Sequence, residues 1–250
     1  MQILLLLLVF PLFPLLPQTD SVERTTAESV LNRHIEAKGG RENLLKVKNF
    51  RMAGVVILRG EIVAEFEIYQ AENRHLSIDK YPDGSIRSHG TDGKIAWKMD
   101  RNKKPIMLRG QSARDYIRHN STVHESLRWK SQFKVIKYAG EKTIDGTRLN
   151  HLIFLDADKR QINRYFSVES GLFVREEVMI GENPIRLLVS TMSDYQIGAH
   201  DTQVPRSRVN EVDGAYKIEF RIDEIEANQL DVDTVFQLPD AIAELQAKQE

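Results

Sequence analysis

The alternation of apolar and polar residues along most of the chain is the feature that most constrains its fold. From Lys48 to about Ile225, apolar residues recur at every second position, which is the period of a β-strand. In the clearest segment, 216–223, one face carries Tyr216, Ile218, Phe220 and Ile222. Strands with one apolar and one polar face form antiparallel sheets that are covered on one side only.

Dipeptides that favour tight turns separate these alternating segments. Asp-Gly pairs begin at Asp83, Asp92, Asp145 and Asp213. An Asp-Gly pair between two alternating segments is the strongest short-range signal of a β-hairpin. The spacing of the turns predicts about ten strands in a meander, arranged as a curved sheet or an open barrel.

The segment 25–38 has a helical period instead. Thr25 and Glu28 have the spacing of a capping box, and Gly39-Gly40 is expected to end the helix before a short second turn at 41–47. The residues at helical intervals are Val30, Leu31, His34, Ile35 and Lys38.

A second helical segment, 111–133, interrupts the strand pattern and is polar and helix-favouring. Its apolar contacts are Tyr116, Ile117, Leu127, Trp129 and Phe133. Such a segment either fills the concave face of the sheet as ordinary core packing or forms a lid over a cavity.

The N-terminus is strongly apolar. Residues 3–16 contain only apolar side chains apart from two prolines, and fourteen residues are fewer than the about 20 that cross a bilayer as a helix. A polar stretch follows, which is typical of a secretory signal. We therefore expect a signal peptide at 1–18, export to the periplasm, one domain at 19–240 and a polar, frayed tail at 241–250. The alternative is an uncleaved leader that anchors the chain to a membrane.

Composition and motifs exclude several classes of function. A formal net charge of −1 lacks the basic field that nonspecific nucleic-acid binding needs. The chain has no cysteine, which excludes disulfides, thiolate nucleophiles and cysteine-based metal sites. None of the seven histidines pairs with another at a spacing of four, and no nucleophile-elbow or phosphate-loop motif occurs. We predict a protein without catalytic residues, metal, cofactor or nucleic-acid partner.

Four stretches of the sequence, taken in order, resemble a known family. They are EAKGG at 36–40 with LLKVK at 44–48, TDGKIAWK at 91–98, AGEKTIDG at 139–146, and EANQLDVD at 226–233. In this combination they are similar to the LolA-like superfamily of periplasmic lipoprotein carriers, in particular to its outer-membrane lipoprotein-sorting-like members.

The resemblance implies an α+β fold in which helices cover the concave face of a strongly curved antiparallel half-barrel. It also implies a monomeric periplasmic carrier or chaperone that shelters the acyl chains of lipoproteins or other lipids. Such a carrier would be loaded by an inner-membrane complex and would deliver to an outer-membrane acceptor.

The alternating apolar faces supply candidates for the lining of such a cavity. They are Phe66, Ile68, Trp97, Met99, Phe166, Leu187, Ile218 and Phe220. Each could equally be part of an ordinary core. Two other functions remain open: an envelope protein-binding or sensor module, which predicts no internal cavity, and an enzyme on an envelope substrate, which predicts polar groups converging inside one.

Overall fold

The structure, a computed structural model, describes residues 25–120, 123–181 and 184–248. The predicted signal peptide, residues 1–18, lies outside these residues. The described chain forms one antiparallel sheet of thirteen strands. The strands are β1 (Asn49–Leu58), β2 (Glu61–Ala71), β3 (Arg74–Lys80), β4 (Ile86–Thr91), β5 (Ala96–Met99), β6 (Pro105–Met107), β7 (Val135–Ile144), β8 (Thr147–Leu155), β9 (Gln161–Ser167), β10 (Phe173–Ile180), β11 (Arg186–Ile197), β12 (Gln203–Val212) and β13 (Tyr216–Ala227).

The strand order is β6-β5-β4-β3-β2-β1-β13-β12-β11-β10-β9-β8-β7. Every neighbour in this order is also adjacent in sequence except β1 and β13, which pair across the middle of the sheet. The sheet is open and curved, which confirms the predicted antiparallel meander. It contains more strands than expected because some hairpins turn without an Asp-Gly pair. Asn73, Lys103 and Lys159 adopt the left-handed conformation at such turns.

Six α-helices accompany the sheet in the described residues: α1 (Ala27–Ala37), α2 (Gly40–Lys46), α3 (Gly110–His119), α4 (Glu125–Gln132), α5 (Val232–Val235) and α6 (Asp240–Ala247). The capping box of α1 lies one residue later than predicted. Thr26 is the N-cap, and its hydroxyl accepts a hydrogen bond from the Ser29 backbone while the Ser29 hydroxyl accepts one from the Thr26 backbone. None of the helices in this part of the chain has the length and apolar character that a bilayer crossing requires.

Pairing register divides the sheet into two faces. The helix-covered face carries the residues that pack against α1, α3 and α4, and the opposite side is the outer face. The main core lies between α1 and strands β8 to β10 on the helix-covered face. It consists of Val30, Leu31, Leu152, Phe154, Ile162 and Phe166, with Trp129 and Phe133 of the α4 region packed against it.

Helices α3 and α4 connect the two edge strands, β6 and β7. The predicted helical insertion is therefore present, and it runs from one edge of the sheet to the other. A hydrogen bond of 2.7 Å between His89 Nδ1 and the Tyr116 hydroxyl anchors α3. Gln70 Nε2 donates to the carbonyl of Asn120 at 2.9 Å. The expected polar tail is instead helix α6, which is held by the fully buried side chain of Ile242.

Candidate ligand-binding face

Five of the eight predicted lining residues share the helix-covered face. Phe66 and Phe220 contact each other edge to face, with ring centroids 5.8 Å apart. Phe66 lies opposite Gly54 of β1, and Phe220 lies opposite Val56. The other residues on this face are Ile68, Phe166 and Ile218. Their part in binding remains a prediction.

The structure places the other three predicted residues on the outer face. Trp97 pairs with Gly90, and a side chain at Gly90 would meet the Trp97 ring. Met99 lies on the same side two residues later. Leu187 pairs with Met179, and both side chains are exposed. Alternation shows which residues of a strand share a face. It does not show which of the two faces is the concave one, because that depends on the pairing register with neighbouring strands.

A cavity of about 150 Å³ opens on the helix-covered face. It lies between α2, the beginning of β1, the end of β13, the beginning of β12 and residues 123–124. Its walls are mainly apolar. The lining residues are Lys38, Leu44, Val47, Phe50, Met52, Val123, His124, Ala199, Thr202, Gln203, Val204, Ile225 and Ala227.

The turn between α1 and α2 fixes one wall of this cavity. Gly39 has a φ of 111°, and a side chain there would lie 2.5 Å from the Asp201 carbonyl oxygen. The Gln203 backbone donates to the Lys38 carbonyl at 3.0 Å. The end of α1 is therefore held against the β11–β12 hairpin, and Lys38 becomes part of the cavity wall.

His124 closes the cavity from the side of α4. Its Nε2 donates a hydrogen bond of 2.6 Å to the Val47 carbonyl. Burial lowers the pKa of His124, and the hydrogen bond to Val47 partly opposes this effect. A neutral imidazole thus holds the beginning of α4 to the chain that enters β1.

Arg164 joins α4 to the sheet. Its guanidinium contacts Glu125 of α4 at 2.6 Å and Glu176 of β10 at 2.8 Å. It also lies 5.0 Å from the centroid of the Phe154 ring. The same face carries Arg208, whose guanidinium contacts Ser190 and Asn210. Charged groups therefore lie beside the apolar core on the helix-covered face.

The hypothesis of an enzyme predicts converging catalytic groups. Among the described residues, no group of three or more His, Asp and Glu side chains could hold a metal ion. The titratable side chains of the cavity wall are Lys38 and His124. The residues that line the cavity include no carboxylate that could act together with Lys38 and His124.

Alternation along the strands does not single out Phe50, Met52, Val204 and Ile225 as lining residues. They lie near the ends of strands that are far apart in sequence. The pairing of β1 with β13 brings Phe50, Met52 and Ile225 together. Lys38 carried a signal, because it shares the helical stripe of Val30, Leu31, His34 and Ile35. The other residues of this stripe are buried, so its period predicts that Lys38 lies on the same side of the helix.

Two histidines under α3 make the anchoring of this helix sensitive to acid. Burial lowers the pKa of His75 to about 3, and the charge of His89 adds to this effect. Burial also lowers the pKa of His89 to about 4; Asp79 opposes this, while Arg87 and Lys98 reinforce it. Both rings are therefore neutral in the folded state at pH 7.

We expect the stability of the protein to fall as the pH drops below about 6.5. The unfolded histidines, with ordinary pKa values near 6.5, bind protons that the folded state excludes, so each costs about 1 kcal/mol over the first pH unit below 6.5, and the slope then approaches about 1.4 kcal/mol per unit. Hydrogen exchange of α3 amides between pH 7.5 and 5.5 measures the effect. The double variant His75→Gln with His89→Gln should show a shallower pH dependence. An unchanged slope would contradict this assignment.

The fold of the chain is similar to that of solved proteins with which it has little sequence identity. A LolA superfamily protein from Nitrosomonas europaea superposes with a TM-score of 0.58 at 13% identity, over 86% of this chain and 99% of that one. A putative outer membrane lipoprotein-sorting protein domain from Vibrio parahaemolyticus gives a TM-score of 0.55 at 10% identity, over 90% and 100%. The chain has a LolA-like fold.

A DUF1329 family protein from Desulfovibrio piger shares this LolA-like fold, with a TM-score of 0.58 at 10% identity over 84% of this chain and 97% of that one. No family model matches the sequence. No curated protein matches it either. The resemblance of the four sequence stretches is thus confirmed for the fold.

Proposed function

We propose that this protein is a periplasmic carrier that shelters acyl chains of lipoproteins or other lipids and moves them between membranes. The observation that carries the proposal is the apolar cavity on the helix-covered face, closed by the beginning of α4. The LolA-like fold supports it, as does the description of the Vibrio parahaemolyticus relative as a lipoprotein-sorting domain. We further propose that residues 19–240 form one exported domain that acts as a monomer.

The energetics of acyl transfer require a cavity that can open. At about 0.8 kcal/mol per CH₂ group, a chain of about 16 carbons gains on the order of 12 kcal/mol by leaving water. The cavity of about 150 Å³ is smaller than the roughly 300 to 1,000 Å³ of typical ligand pockets. A bound acyl chain therefore displaces α4 and takes over its apolar contacts.

Helix α4 is suited to such a movement. Its residues are at most partly buried. Besides the contacts of His124 and Arg164, ion pairs join Arg128 to Glu72 and Lys130 to Glu28, and these four side chains are between 46% and 67% exposed. Exposed ion pairs contribute about 0 to 1 kcal/mol each. A ligand can replace them at low cost.

Filling the cavity should block uptake. We expect Ile225→Trp to weaken binding of a fluorescent fatty acid at least about tenfold, because the indole occupies the volume that the chain would enter. Fluorescence titration of the purified exported chain measures this. Ile225→Ala, which enlarges the cavity, should retain binding. This control shows whether loss of the Ile225 side chain alone, and not filling of the cavity, abolishes binding.

The control is Leu187→Trp, which adds the same ring on the outer face. It should bind the probe like the unaltered protein. Equal binding by the Ile225→Trp and Leu187→Trp variants would contradict the proposed cavity.

A second function, binding of an envelope protein, is favoured by one observation. Met179, Ile185 and Leu187 are all exposed beside the β10–β11 hairpin and form an apolar patch. Native mass spectrometry of protein purified from the periplasm separates the two functions. A co-purified acyl lipid supports the carrier, whereas a ligand-free mass that is unchanged after incubation with lipid favours protein binding.

A further inference from the structure

Lys38 is the one lysine or arginine among the residues that line the cavity. Within the described part of the chain, its side chain makes no hydrogen bond and no ion pair. Apolar side chains of Leu44, Phe50 and Ile225 share the wall with it. An ammonium in such surroundings is costly unless an anion accompanies it.

The carboxylate that acts on Lys38 electrostatically is Glu125, and it is already bonded to Arg164 at 2.6 Å. The two histidines near Lys38, His34 and His124, have lowered pKa values and are neutral at pH 7. Burial lowers the pKa of Lys38 itself, and the residue is partly buried in the cavity wall. The cavity therefore combines apolar walls with one cation that has no bonded counterion.

We propose that Lys38 binds the anionic head of an amphiphile, a carboxylate or a phosphate monoester, while the alkyl chain lies against the apolar walls. This inference rests on the proposed carrier function and specifies its ligand. An anionic head group at Lys38 would supply the bonded partner that the ammonium lacks. A neutral lipid would leave the same ammonium unpaired and would bind less tightly.

The path of the alkyl chain follows from the register of β13. Its helix-covered face presents a continuous apolar row: Ala227, Ile225, Ile222, Phe220 and Ile218. From Ile225 to Ile218 this row extends for roughly 23 Å, at about 3.3 Å per residue. The row begins in the cavity wall and passes the Phe66–Phe220 ring contact, so a chain anchored at Lys38 has an apolar track to follow.

The test compares three probes with the same alkyl chain: dodecanoate, dodecyl phosphate and dodecanol. We expect the unaltered protein at pH 7.5 to bind at least one of the two anions about tenfold to a hundredfold more tightly than the alcohol, as for hydrogen bonds to a charged group. Which anion binds better assigns the head as a carboxylate or a phosphate. Displacement of a fluorescent probe gives all three affinities.

The variant Lys38→Met should bind all three probes as the unaltered protein binds dodecanol, whereas Lys38→Arg should keep the preference for anions. The matched control is Lys46→Met, which removes an exposed lysine of α2 that is bonded to Asn43. It should keep the full preference. The midpoint of thermal unfolding of Lys38→Met should be no lower than that of the unaltered protein, because the Lys38 side chain makes no hydrogen bond or ion pair that the substitution would break.

Two results would overturn the assignment of Lys38: equal binding of anions and alcohol by the unaltered protein, or an undiminished preference in Lys38→Met. A different result would overturn the carrier function itself, namely that none of the three probes binds. If Lys38→Met does not fold, the pH dependence of anion binding by the unaltered protein tests the role of Lys38 instead. The preference for anions should disappear as the pH rises through the pKa of Lys38, and a constant preference up to pH 11 would contradict the proposal.

Discussion

Replacing Phe154 with alanine is expected to lower the free energy of unfolding by about 3 to 5 kcal/mol. The Phe154 side chain is fully buried, and its ring packs edge to face on Phe133 with centroids 4.9 Å apart. The Arg164 guanidinium covers the same ring. Truncation removes these contacts and leaves a cavity between the sheet and α4. Urea denaturation followed by circular dichroism measures the loss.

A matched control removes an apolar side chain from the surface. Ile185 is 61% exposed, and Ile185→Ala should change the free energy of unfolding by no more than about 0.5 kcal/mol. If Phe154→Ala cost as little as the control, the main core would not lie between α1, α4 and strands β8 to β10.

Replacing Arg164 with methionine should cost about 3 to 5 kcal/mol when both its partners are retained. The side chain of Glu176 is only 20% exposed and would keep its charge without a partner. Glu125 is 46% exposed and can be hydrated, so it accounts for the smaller share. Because Arg164 connects α4 to the sheet, the variant should also be cleaved faster by protease within α4.

Two further variants separate the ion pair from general damage. Adding Glu176→Gln to Arg164→Met should restore part of the stability, since the unpaired charge is removed. Arg148→Met breaks an exposed pair with Glu141 and should cost far less stability than Arg164→Met, because exposed ion pairs contribute little. Equal losses for Arg164→Met and Arg148→Met would show that burial does not strengthen the first pair.

The repetitive part of the fold could be predicted from sequence. Alternation along segments such as 216–223 depends on the backbone geometry of a strand, and Asp-Gly turns depend on the local conformation of two residues. Both effects act between neighbours in the chain. The helical segment 111–133 was visible for the same reason, as a change of period, and appears as α3 and α4.

The cavity could not be predicted in this way. Its wall combines Lys38, Met52, Val204 and Ile225, which approach each other only after β1 has paired with β13 and α1 has docked on the β11–β12 hairpin. Which face of a strand becomes concave is also decided between strands. For this reason Trp97, Met99 and Leu187 lie on the outer face although their own strands alternate correctly.

The pairing of β1 with β13 has a consequence for how the chain reaches this structure. Every other strand pair joins sequence neighbours, so two sheets, β1 to β6 and β7 to β13, can assemble from local hairpins. The seam between them joins segments about 170 residues apart, and contacts of such high sequence separation form slowly. Along this seam Gly54 lies so close to the Arg221 carbonyl that no side chain would fit. The sheet therefore cannot close until β13, its last strand in sequence, is available, and under the proposed export from the N-terminus this strand would be released last.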